Sequence, residues 1–321
     1  MILTVTLNPL LERRYYYSSL NLSSVNRNGK LILKAGGKGI NINRQLNKFA
    51  IQNIALLFTG GNNGKLIRES LHKEKIIFSD VNTKNETRDA AIIIDLSDKK
   101  VYSFFRSDSE ISSSEVDTFI LKMEKMISTC ELVVFSGSSP CKETDAIYPE
   151  GIRMANKMDK ISVCDTYGDH LEKCLDASPT IIHNNVDEIQ SSLNSNMSNE
   201  KDHLSFLNAL YNKGIKQAFI TDAEKPFYAS NFDFHYKITL PKIDTVDSTG
   251  SGDAFTAGII YGLHNKLNFE QQLRFASALG VCNAQSFEVC DVEVDNAQSF
   301  IEQIKISSVG KKIKEINDLP G

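Results

Sequence analysis

The sequence has no apolar run long enough to span a bilayer, which excludes anchoring by a membrane helix. Its start, MILTVTLNPLLERR, lacks the basic stretch and apolar core of a signal peptide and reads as a short strand ending in a turn. Neither sign of charge dominates. Lys and Arg number 36 against 40 Asp and Glu, a net charge of −4 over 321 residues. That balance lacks the broad basic surface of a nucleic-acid or membrane-surface binder. An anionic substrate would need a local positive patch. Cys130, Cys141, Cys164, Cys174, Cys282 and Cys290 show no Cys-x-x-Cys spacing, and no His stands at zinc-finger distance. They read as thiols kept reduced, which places the expected location in the cytoplasm. There is no internal repeat and no Gly-x-Gly-x-x-Gly dinucleotide fingerprint. TGGNNGKL (59–66) fails as a phosphate loop, because Thr59 holds the first glycine's place and Leu66 follows the lysine. It reads as a turn into a helix.

What is present is a chain 41% hydrophobic and 24% charged, long enough to bury a sizeable core as one large α/β unit. Apolar runs alternate with helical patterns. ILTVTL, NIALLFTG, LVVFSGS, KISVCDTYG, TIIHNN and KQAFITD read as strands. Helices are expected between them, with Ser112 and Glu115 at capping-box spacing before one. The C-terminal third reads as helical over 253–267, 269–285 and 294–305. This alternation predicts an α/β fold, a mostly parallel sheet flanked by helices on both faces. Residues 13–20 and 88–105 break the pattern as β structure without crossover helices, the latter a hairpin around Ser97-Asp98. They predict a small sheet projecting from a single domain over 1–321. The polar stretch 191–204 reads as a surface loop.

Ligands of open α/β sheets bind beyond the C-terminal ends of the strands. AGGKGIN (35–41) offers glycines for close backbone approach and Lys38 for a phosphate; the alternative is a Gly-rich helix entry with an exposed lysine. In HNNVDEI (183–189), Asn185 and Glu188 stand three apart. They suit hydrated Mg²⁺, but taken alone they read first as an N-cap with its third-position partner. STGSGDAF (248–255) opens a helix with unobstructed N–H donors at Gly250 and Gly252, and puts Asp253 in the first turn. That pattern points to an anion hole with a proton acceptor beside it.

AGGKGININRQL (35–46) and DTVDSTGSGDAFTAG (244–258) resemble the two signature regions of the phosphofructokinase-B, or ribokinase-like, carbohydrate kinases. TVTLNP, ETRDAAIII, FSGSSP, DTYG and NNVDE fall in the matching order, so the resemblance covers nearly the whole chain. TLNP and the TR before the hairpin resemble the branch that phosphorylates sugar phosphates, 1-phosphofructokinase and tagatose-6-phosphate kinase. The resemblance implies a ribokinase-like fold with a β lid over about 10–35 and 87–106, which in the family often forms a dimer interface. It implies ATP as co-substrate, Mg²⁺, and transfer to fructose 1-phosphate, with tagatose 6-phosphate next. Asp253 is implied as the base, with the N–H groups of Gly250, Ser251, Gly252 and Asp253 holding the transferring charge. Lys38 and Arg88 are implied at the sugar's phosphate, and Glu12, Gly37 and Asn41 at its hydroxyls. His183, Asn185, Thr221, Ala223, Ser248 and Asn283 are implied on the ATP side with Gly250 and Gly252. Asn185 and Glu188 match the family's Mg²⁺ motif. The chain departs from the pattern where Glu12 replaces an Asp, His183 a Lys, Asn184 a Pro, Ala223 a Gly and Ser251 an Ala. Those departures motivate a second reading, a nucleotide or sugar-phosphate sensor. The absence of metal-ligand spacing disfavours a third, a redox or metal enzyme.

Overall fold

A computed structural model of the chain describes residues 1–310; the expected domain's last eleven positions, 311–321, lie outside the described residues. In chain order the first half runs β1 (Ile2–Thr6), β2 (Leu10–Tyr17), β3 (Lys30–Gly36), α1 (Lys38–Lys48), β4 (Asn53–Gly60), α2 (Gly61–Lys73), β5 (Phe78–Thr83), β6 (Asp89–Asp95), β7 (Lys100–Phe105), α3 (Ser113–Thr129), β8 (Leu132–Ser136) and α4 (Ile147–Lys157). It continues β9 (Ile161–Asp165), α5 (Leu171–Asp176), β10 (Ile181–Asn185), α6 (Val186–Leu193), α7 (Glu200–Asn212), β11 (Gln217–Thr221), β12 (Phe227–Asn231), β13 (Phe234–Thr239), α8 (Ser251–His264), α9 (Phe269–Asn283), α10 (Val294–Ile301) and β14 (Lys305–Val309).

Ten strands form one sheet in the order β14-β13-β12-β11-β10-β9-β8-β1-β4-β5. The seven from β5 to β11 are parallel; β12, β13 and β14 add an antiparallel edge. β1 and β8 are buried along their whole length, as central strands covered on both faces must be. One core lies between the sheet and α3, α4, α5 and α7, and includes Phe119, Tyr148 and Leu207. The other lies under α1, α8, α9 and α10, and includes Ile42, Phe255 and Leu279. No helix among the described residues is long and apolar enough to cross a membrane, and all six cysteines are free thiols.

β3-β2-β6-β7 form the second, smaller sheet. Leu33, Arg13, Ala91 and Phe104 stand opposite one another across its four strands, so they share one face. Glu12 and Arg14 lie on the other face, with Ala90 and Ile92. The expected helix over 294–305 stops at Ile301, and Lys305–Val309 pairs with β13 instead. The hairpin of β12 and β13 has no glycine at its turn; Phe232 takes a φ of 54° there, so turn chemistry gave no signal for it. The loop expected over 191–204 shrinks to 194–199, because α6 runs to Leu193 and Asn199 caps α7. Ser112 and Glu115 do form the capping box of α3.

Candidate active site

β1, β8, β9, β10 and β11 are parallel, so their C-terminal ends share one edge of the sheet. Chain travel across the sheet reverses between β1 and β8, the kind of switch point that opens a ligand crevice. Two helices start there. α1 begins after Gly37 (φ 125°) and α8 after Gly250 (φ 76°), both in the region that favours glycine. A Cβ on Gly250 would also meet Val289 Cγ1 at 2.2 Å. Neither helix carries a side-chain cap, which leaves first-turn N–H groups and the positive end of the dipole for a ligand. Ser251's N–H goes to the Ser248 carbonyl at 3.1 Å.

Asp253 is 4% exposed and accepts a hydrogen bond from Asn41 Nδ2 at 2.7 Å. Arg44 Nη1 donates to the other end of that amide, Asn41 Oδ1, at 2.7 Å, which fixes which way Asn41 points. Burial pushes the Asp253 carboxyl up; Lys38 opposes, and the charges of Asp165 and Glu188 add to the rise, leaving it at about 7. Lys38 Nζ lies 3.0 Å from Asp165 Oδ1 and also contacts Glu188 Oε1. Burial disfavours its charge, but Asp165, Glu188 and Asp253 outweigh that and hold its pKa well above an ordinary lysine's. Asp165 is fully buried. Burial alone would raise its carboxyl, but Lys38 and His183 hold it below the usual range. Ser136 and Thr256 each donate to its Oδ2 at 3.3 Å.

Several expected residues take other places than expected. Lys38 gives its charge to Asp165 and Glu188, near Asp253, rather than standing as an unpaired cation. His183 is 2% exposed, with Nε2 3.2 Å from Thr221 Oγ1 and Nδ1 3.0 Å from Thr256 Oγ1. It stacks on Phe255, and a Cβ on Gly252 would meet it at 3.1 Å. With both ring nitrogens engaged, it supports the glycine loop from beneath, a correction to its ATP contact. Asn283 is also fully buried. Its amide donates to the Thr249 carbonyl and Ser251 Oγ, and accepts from Cys290 N–H. It fastens the loop, so its ATP contact is likewise corrected. Ser251, where the family has Ala, supplies one of those acceptors. Ala223 is exposed, with φ 46°, a conformation glycine would adopt without strain.

Asn185 Oδ1 caps α6 by accepting from Glu188 N–H at 2.8 Å, and Glu188 Oε2 accepts from Asn185 N–H at 3.2 Å. The capping reading is therefore realised, and the cap itself aims Glu188 at Lys38. The donor set here is carboxylate and amide oxygen, which suits a hard cation carried largely by water and phosphates. Among the described residues no three or more His, Cys, Asp or Glu gather into a closed metal cage.

At the lid's root, Arg88 Nη2 donates to the Asn8 carbonyl at 3.0 Å and Nη1 pairs with Asp108 at 2.8 Å. Its Nε is buried without an acceptor. The next residue, Asp89, pairs with Arg13 and Arg106. Glu12 Oε2 is held by Arg14 at 3.1 Å, and Glu12 packs so closely over Gly36 that a Cβ there would meet Oε1 at 2.5 Å. Sequence reasoning missed Asp165 and Arg14. Asp165 carried a usable signal, a carboxylate at the C-terminal end of the apolar strand ISVCD. Arg14 carried none.

Comparison with known proteins shows the family. The model of the pfkB family of carbohydrate kinases matches residues 11–295. A tagatose-6-phosphate kinase of Staphylococcus epidermidis is 30% identical over 313 residues, covering 96% of this chain and all of the relative. A Thermotoga maritima structure described as a possible 1-phosphofructokinase superposes with a TM-score of 0.86 at 23% identity, covering 96% of this chain and 99% of that one. Phosphofructokinase-2 from Escherichia coli, in complex with potassium, gives 0.86 at 19% identity over 94% and 98%. The two structures share the ribokinase-like fold, and the family match spans the lid, the Lys38 helix and the Asp253 loop. This chain belongs to the pfkB family of carbohydrate kinases.

Proposed function

We propose that the protein transfers the γ-phosphoryl group of ATP to a ketohexose monophosphate, with fructose 1-phosphate as the leading acceptor at its 6-hydroxyl. Tagatose 6-phosphate is the second acceptor, favoured by the 30% identical Staphylococcus epidermidis relative. Either acceptor gives a ketohexose 1,6-bisphosphate. The observation that carries the choice of a phosphorylated sugar is Arg88 at the root of the small sheet, whose buried Nε–H lacks an acceptor. A sugar phosphate oxygen satisfies that donor, and a neutral sugar leaves it unpaired.

In this reading Asp253 takes the acceptor hydroxyl's proton as its oxygen attacks the γ-phosphorus. The N–H groups of Gly252 and Asp253, in the first turn of α8, hold the transferring oxygens, since that of Ser251 is taken by the Ser248 carbonyl. Lys38, between Asp165 and Glu188, brings a fixed positive charge to the same point. Asn41 orients Asp253 and, with Gly37 and Glu12, lines the sugar's side. Glu188, through water, is the residue to hold Mg²⁺, which would neutralise charge on the nucleotide phosphates. Thr221 and Ala223 border the nucleotide. The intact Asn41–Asp253 pair and uncapped α8 support turnover over the sensor reading.

The lid extends the proposal to assembly. Leu31, Leu33 and Phe104 share its outward face and are exposed. A second copy of the chain is the occupant that covers them. Escherichia coli phosphofructokinase-2, of the same fold, is described in a tetrameric inhibited form.

A coupled ADP-release assay over a panel of sugar phosphates tests the reaction. Turnover on fructose 1-phosphate or tagatose 6-phosphate well above that on fructose or ribose is expected. Equal rates on free sugars would overturn the phosphorylated-acceptor reading, and ligand binding with no turnover on any of them would favour a sensor.

A further inference from the structure

Arg14 lies on the lid but is only 2% exposed. Its guanidinium reaches in three directions. Nη1 holds Glu12 Oε2 at 3.1 Å, Nε donates to Tyr16 Oη at 3.2 Å, and Nη2 donates to the Phe287 backbone carbonyl at 2.6 Å. Phe287 is 273 residues away, in the turn between α9 and α10, and its side chain packs into the apolar underside of the lid with Leu10, Ala90, Ile92 and Ile94. The next residue, Glu288, completes the contact. It accepts from Lys34 at 2.8 Å and from Tyr16 Oη at 3.3 Å.

The same turn walls the anion hole. Val289 Cγ1 occupies the space a Cβ on Gly250 would need, and Cys290 Sγ donates to the Gly250 carbonyl at 3.5 Å. Cys290 N–H is held by Asn283, whose amide fastens Thr249 and Ser251. One continuous set of contacts thus runs from Glu12 through Arg14 to the turn at 287–290, and from there to the loop at 249–251. An arginine is suited to this junction, because its planar fork serves a carboxylate and a carbonyl at once.

We infer that Arg14 is a positioning residue that seats the lid on the anion-hole turn, so that Glu12 is fixed over the sugar and the Gly250 loop is braced by the same guanidinium. The longer Glu12 then has a reason: it reaches Arg14. The inference rests on the sugar-kinase reading for its kinetic consequence. Its structural consequence, protection of the 286–290 turn by Arg14, stands apart from any choice of sugar.

The test is Arg14→Met and Arg14→Lys in the full chain, read by steady-state kinetics on the acceptor found for the wild type and by amide hydrogen exchange. Arg14→Met is expected to raise the sugar's KM and lower kcat, each by tenfold or more, while the KM for ATP stays within about threefold. Arg14→Lys, which keeps the charge beside Glu12 but loses the fork, recovers the sugar's KM more than kcat. Peptides over 286–290 and 10–17 exchange faster in Arg14→Met. Glu288→Gln, at a half-exposed position, is the milder companion that keeps the test open if Arg14→Met does not fold. It is expected to raise the sugar's KM severalfold with ATP unaffected. Unchanged exchange in a folded Arg14→Met, or equal changes in the two KM values, would overturn the inference. A wild type active on no sugar phosphate would remove the substrate reading alone, since the exchange result would still decide the seating.

Discussion

Asn41 Nδ2 donates to Asp253 Oδ2 at 2.7 Å, joining the first turn of α1 to the first turn of α8. That bond brings two glycine-led helix starts, 212 residues apart in sequence, onto one carboxylate. It also stabilises the ionised form of an acid whose burial pushes it to about 7. A base must be unprotonated to accept a proton, so kcat/KM is expected to rise with pH through a value near 7 and level off above it. Asn41→Leu removes a bond to the ionised form and moves that rise to higher pH. A profile flat from pH 5.5 to 8.5 would separate Asp253 from the proton transfer.

Asp165 acts on Asp253 in the opposite sense. Its charge raises the Asp253 carboxyl, and Lys38 lowers it. Asp165→Asn removes one negative neighbour while the lysine remains. The acid limb of the pH–rate profile is therefore expected to move to lower pH, with a lower plateau because Lys38 loses a partner at 3.0 Å. A shift to higher pH would contradict the electrostatic account.

Gly250 has no room for a side chain and no backbone freedom to spare. Gly250→Ala meets Val289 and strains a φ of 76°, so the loop must shift. Displacing the donors is expected to cost kcat about 10²- to 10³-fold, the scale of losing oxyanion-hole contacts. Thermal unfolding of the same variant separates this loss from global destabilisation.

Ala223 pays a backbone penalty in its exposed turn. Ala223→Gly is expected to stabilise the protein by up to about 1 kcal/mol, the strain of the left-handed region less glycine's greater unfolded-state entropy. Urea titration reads the sign. A destabilised variant would mean that the methyl makes a favourable contact.

The outward face of the lid tests the assembly proposal. Leu33→Asp with Phe104→Asp places two charges on that face. Light scattering is expected to show a dimer for the wild type and a monomer for the variant. The same mass for both would remove the lid as the interface.

The parallel sheet, the helices between its strands and the lid hairpin were legible because period and turn chemistry are local. The place of Asp253 in the first turn of α8 was legible because the glycines before it mark a helix start. The β12–β13 hairpin escaped, since Phe232 turns the chain where glycine or asparagine would announce it. His183 and Asn283 were legible as positions but not as roles. Whether a polar side chain meets a ligand or braces the loop beside it depends on neighbours far away in sequence, here Thr256 and Cys290. Lys38 illustrates the same limit, because its two carboxylate partners arrive from β9 and α6. Arg14 had no signal at all, since its partner carbonyl belongs to backbone.

The most direct test of the account is Asp253→Asn, assayed for phosphoryl transfer to the acceptor found for the wild type and for ATP binding by calorimetry. The account predicts a fall in kcat of about 10²- to 10⁴-fold, the scale of general-base catalysis, with ATP affinity close to that of the wild type. Near-normal turnover in the folded variant would contradict it.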